Sequence, residues 1–75
     1  MDIEEHLKKL QSLFTYTLSD ANMAKARYLG LSQDPEAKPA IIARAKLTWR
    51  QLETRKTAIV ARMVELEELE HEAVV

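Results

Sequence analysis

The chain has no cysteine, which removes disulfide staples and thiolate metal sites together and leaves the redox compartment unspecified. Glycine occurs once and proline twice, all between Gly30 and Pro39, so nothing punctuates the backbone on either side of that short stretch. Aromatic residues number four, too few for the aromatic and β-branched alternation of a sheet protein. No apolar run approaches the roughly 18 residues of a membrane span. The opening Met1-Asp2-Ile3-Glu4-Glu5 is acidic, whereas a secretory signal begins basic and then turns apolar. A Gly-rich phosphate loop is missing, and Ser12, Ser19 and Ser32 lie away from His6 and His71, so neither phosphate cradling nor a Ser-His-Asp constellation is available. These absences point to a cytoplasmic, non-enzymatic protein without a cofactor and without a membrane-spanning segment.

What remains is helix-forming sequence with a repeating apolar spacing. Ile3, Leu7, Leu10, Phe14, Thr17, Ala21, Ala24, Tyr28 and Leu31 alternate in steps of four and three, as do Ile42, Ala45, Trp49, Leu52, Lys56, Ile59, Met63 and Leu66. That spacing is a heptad pattern, and it predicts two long helices. Asp2 with Glu5 three positions on has the spacing of a capping box, with Asp for the usual Ser or Thr. Gly30 is expected to end the first helix as a left-handed residue. Asp34-Pro35 and Pro39 then predict a short turn at Pro35 to Lys38. The 75 residues thus read as one domain: helix 1 over about residues 2–30, a connection over 31–38 and helix 2 over 39–72.

Two heptad helices with a short connection make an all-α, antiparallel two-helix hairpin. Pairing residues whose numbers sum to 73 stacks Leu7 on Leu66, Phe14 on Ile59, Ala24 on Trp49 and Tyr28 on Ala45, setting large side chains against small ones. It also puts Thr17 and Lys56 in one polar layer, with Asp20 near Arg55, Lys25 near Lys46 and Glu4 near Glu67. A register summing to 66 is the alternative. Lys56, a charge at an apolar position, either reaches past the core to water or fixes register and oligomer state, with Asp20 or Glu53 as its counter-ion. Facing Ala24, Trp49 is expected to be costly to truncate, at about 3 kcal/mol or more.

Several large apolar residues fall beside that stripe: Leu13, Ile41 and Leu69 on one flank, Leu18 and Val60 on the other, with Leu47 and Val64 further out. A stripe this wide suits a helix with more than one neighbour. Small scaffolds without disulfides or metals also need another source of burial. The expectation is self-association, most simply two hairpins forming a four-helix bundle, with Leu13, Leu18, Ile41, Val60 and Leu69 as oligomer contacts. The chain then serves as an interaction or structural module that can also take a protein partner.

The charges are segregated. Residues 25–62 carry nine basic and three acidic side chains, whereas residues 63–75 carry five glutamates and no basic residue. Arg44, Arg55 and Arg62 fall within about 20° on a helical wheel, a row that could follow phosphates and make the protein a nucleic-acid-binding dimer. No zinc-finger, RNP or helix-turn-helix pattern accompanies the row. Glu67 and His71, four apart with His6 at the same end, have a spacing compatible with a metal but are better read as exposed. The glutamates lie near the negative pole of helix 2, so fraying after about Leu69 is expected, or a basic partner. The final Ala73-Val74-Val75 could serve as a docking or degradation tail.

Overall fold

The computed structural model describes residues 2–74, with side-chain surroundings for residues 2–72. Two helices make up these residues, α1 (Ile3–Ser32) and α2 (Pro39–Val74). At about 1.5 Å per residue they are roughly 45 and 54 Å long. They fit a body of 59 × 16 × 14 Å only if they lie side by side. With residues 33–38 as the whole connection, the chain folds back as a hairpin in which the two helices pack on each other.

Asp2 caps α1, its carboxylate accepting a hydrogen bond from the Glu4 backbone N–H at 3.0 Å, and Glu4 and Glu5 occupy the positive end of the helix. The other end departs from expectation. Gly30 is helical, not left-handed, and α1 runs on to Ser32. One glycine in a long helix costs only about 1 kcal/mol, so it does not stop the helix where its neighbours favour one. The stop lies in Asp34-Pro35, because the residue before proline is driven out of helical geometry. The Gln33 and Asp34 N–H groups close the last turn on the Gly30 and Leu31 carbonyls, and the Ser32 hydroxyl donates to the Leu29 carbonyl.

The expected turn at residues 35–38 is present. Asp34 accepts hydrogen bonds from the Glu36 N–H at its carboxylate, 2.9 Å, and from the Ala37 N–H at its carbonyl, 3.2 Å. Pro39 takes the first helical position of α2, where its missing N–H costs nothing. That helix continues unbroken to Val74, past Leu69 where fraying was expected and two residues beyond the predicted end. The apolar tail Ala73–Val75 lies outside the side chains described.

Every position of the two four-and-three stripes is buried or half-buried. Contacts across the hairpin fix its register. The Tyr28 and Trp49 rings stack with centroids 5.6 Å apart, and the Lys25 ammonium lies 5.8 Å from the Trp49 ring. Lys25 and Trp49 sum to 74, and the Tyr28–Trp49 stack is the diagonal contact between the neighbouring Tyr28/Ala45 and Ala24/Trp49 layers of the register summing to 73. The alternative summing to 66 would set Tyr28 opposite Lys38, some 11 residues or about 16 Å along the helix from Trp49. The core is thin: the buried residues are Leu7, Ala21, Ala45, Ile59 and Leu66, with Thr17 the one buried polar side chain among the residues described. No described helix is long and apolar enough to cross a membrane.

Candidate interaction surface

The hairpin has two broad faces, and the residues flanking the helix contact make them different. On one face the cleft between the helices is closed by side chains. Tyr28 and Trp49 stack there at an interplanar angle of 19°, and the Lys25 and Lys46 ammonium groups lie 5.8 and 6.0 Å from the Trp49 and Tyr28 rings respectively. Trp49 Nε1 donates to Glu53 at 3.2 Å, and the same carboxylate takes the Lys56 ammonium at 2.9 Å. The Lys56 hydrogen bond, helped by the Trp49 indole and the nearby charges of Lys56 and Lys25, holds the Glu53 carboxyl below its ordinary value against a smaller opposing push from desolvation. Lys56 is thus partnered by Glu53 on its own helix; Thr17 is buried, 4% exposed, in the same part of the core.

The other face is open. Between the helices lie two adjoining shallow grooves, one lined by Ala24, Arg27, Ile41, Arg44, Ala45 and Thr48, the next by Asp20, Met23, Ala24, Arg27, Thr48 and Leu52. Alanines and threonine floor them where the opposite face carries rings. Along the flank of α1 beside these grooves stand Leu13, Tyr16 and Met23, 48%, 72% and 68% exposed, and along the matching flank of α2 stand Ile41 and Leu69. These five side chains expose from about half to nearly three-quarters of their surface.

The structure therefore divides the five apolar residues picked from the sequence. Leu13, Ile41 and Leu69 are exposed on the open face, whereas Leu18, half-buried, and Val60, exposed, sit on the closed one. Tyr16 and Met23 were missed because each lies a further step round the helix from the stripe. Their spacing from Leu13, three and then seven, was the available signal. Leu29 and Val64 on the closed flank and Leu47 on the back of α2 complete the exposed hydrophobics described.

The arginine row also lies on the open face. Arg44, Arg55 and Arg62 are all exposed there, and Arg27 joins Arg44 in lining a groove. Arg62 pairs with Glu65 at 3.1 Å one turn on. That bond and Lys56–Glu53 are the salt bridges among the described residues; the pair expected between Asp20 and Arg55 is not formed. Among those residues no group of three His, Asp or Glu side chains is placed to hold a metal ion, His6, Glu67 and His71 included. No protein-family model, curated protein or solved structure matches this chain.

Proposed function

We propose that the protein is a non-enzymatic helical interaction module whose working form is a homodimer, two hairpins continuing their heptad packing into a four-helix bundle that can also receive a protein partner. The supporting observation is the imbalance between core and surface. Five apolar residues are buried, two of them alanines, against nine large hydrophobics exposed among the described residues. The accessible surface is 5965 Å², while a typical folded monomer of 8.6 kDa exposes about 4,700 Å². The surplus, about 1,300 Å² per chain, exceeds the roughly 800 Å² that each partner contributes to a standard interface and falls in the range of the larger homodimer interfaces. Sedimentation equilibrium tests the reading. A mass near twice 8.6 kDa at micromolar concentration supports it, and a monomer that persists to millimolar concentration overturns it.

The alternative, a nucleic-acid-binding dimer that tracks phosphates along Arg44, Arg55 and Arg62, draws on their common flank. It is the weaker reading, because phosphate contact would leave Leu13, Tyr16, Met23, Ile41 and Leu69 in water. If it holds, binding to a DNA or RNA duplex falls steeply with salt and disappears when the three arginines become glutamine.

A further inference from the structure

We infer that the open face is the dimer surface and that its occupant is a second copy of this chain laid on it end for end, the connection of each hairpin over the chain termini of the other. This rests on the self-association proposed above and adds the face and the polarity. Three observations carry it.

The first is area. The face is about as long and wide as the molecule, 59 by 16 Å, or roughly 900 Å², which matches the approximately 800 Å² that each partner contributes to a standard interface. The second is charge. Divided at its mid-length in the observed register, the half of the hairpin holding the connection, residues 19–55, has seven basic and four acidic side chains. The half holding the termini, residues 1–18 and 56–75, has four basic and eight acidic. Laying two copies end for end sets a half of net +3 on a half of net −4. Laying them connection to connection sets like on like at both ends, which costs affinity.

The third is pattern. A two-fold axis crossing α2 near Arg55 brings each helix antiparallel to its own copy, where facing residue numbers have a constant sum. Ile41 then meets Leu69 of the second copy, Arg44 falls within one residue of the position facing its Glu65, and Lys38, at the end of the connection, lies over its Glu72. On α1 the same axis puts Leu13 opposite Met23 of the second copy, with Tyr16 about one turn further along. Ile41, Leu69, Leu13 and Met23 thus find apolar partners and the end charges find opposite ones, while Arg55, at the axis, lies beside Arg55 of the second copy. All of these side chains are exposed, and the large apolar ones are 46–72% exposed, so each offers free surface to a second copy. The closed face, with its rings and lysines, stays outward.

Complementary charge reversal tests the arrangement. One variant carries Lys38→Glu and Arg44→Glu, the other Glu65→Lys and Glu72→Lys. Each alone sets like charges at both ends of its homodimer and is expected to weaken self-association by roughly 30-fold or more. Mixed in equal amounts, the two restore opposite pairs at both ends, and a heterodimer is expected by native mass spectrometry, distinguished by mass. Homodimers of wild-type affinity in both variants, or no heterodimer on mixing, overturn the end-for-end arrangement while a dimeric wild type leaves self-association standing. A monomeric wild type removes both. A second pair of variants reads the face without altering charge. Leu13→Ser with Met23→Ser is expected to dissociate the dimer, and Leu29→Ser with Val64→Ser to leave it intact; the reverse result overturns the choice of face. Circular dichroism confirms that each variant keeps its helices.

Discussion

The two faces of this hairpin are built from the same two helices and differ in how they treat the cleft between them. One face closes it with Tyr28 and Trp49, held by Lys25, Lys46, Glu53 and Lys56. The other leaves it floored by Ala24, Ala45 and Thr48 and rimmed by bare Leu13, Tyr16, Met23, Ile41 and Leu69. Large side chains that lean to one side of a two-helix contact leave small ones on the other. A hairpin with only one good lid thus keeps a surface that a second copy can cover. The closed face also shows how a charged residue is tolerated at an apolar position. The Lys56 ammonium reaches out to a carboxylate that also takes the Trp49 indole N–H, so the charge ends in a polar cluster at the rim of the core.

The largest way to break the comparison is to remove what both faces share. Leu66 is 3% exposed, and Leu66→Ala is expected to destabilise the protein by about 3 kcal/mol by chemical denaturation, with loss of any oligomer as a consequence. Taking off the lid costs less. Trp49 is half-buried and stacks mainly on Tyr28, so Trp49→Ala is expected to cost about 2 kcal/mol, below the 3 or more that its position in the sequence suggested, with dimer mass retained at low temperature.

Gly30→Ala sharpens the comparison from the other direction. Gly30 is helical and an added Cβ meets nothing within 4 Å, so a gain of about 0.5–1 kcal/mol is expected in thermal unfolding. A loss would mean that the glycine is needed by something covering it. Lys56→Leu should move stability by less than about 1 kcal/mol and leave the oligomer mass unchanged, since the Lys56 ammonium belongs to the outward face; a changed mass would make Lys56 a determinant of assembly.

The smallest effect is on pH. The folded-state carboxyl of Glu53 lies below its ordinary value, so its contribution is complete above that value and is lost as pH falls through the folded one. The Trp49 fluorescence, coupled to that carboxylate by the indole hydrogen bond, is expected to hold constant from neutrality through the ordinary glutamate range of about 4.3 and to change only below it. A transition above that range would show that the Glu53–Lys56–Trp49 cluster is not formed in solution.

Much of this was legible in the sequence, for definite reasons. Strict four-and-three spacing made the two helices and their inward residues readable, because a helix repeats its faces with that period. The turn at residues 35–38 followed from proline's fixed geometry. Gly30 misled, since glycine permits a left-handed end but does not require one. Sequence alone leaves the register open, because each stripe repeats every seven residues and a slip of one heptad preserves the apolar match. The division into open and closed faces was not legible at all, because it depends on which way the rings lean at the contact. Placing Leu13 and Leu18 in one set of oligomer contacts was the natural result.

The most direct test is the sedimentation equilibrium mass of the wild-type chain and of the paired change Leu13→Ser with Met23→Ser, measured side by side. A dimer near twice 8.6 kDa for the wild type and a helical monomer for the variant are expected. A wild-type monomer, or a variant that stays dimeric, would contradict an open face that exists to be covered by a second copy.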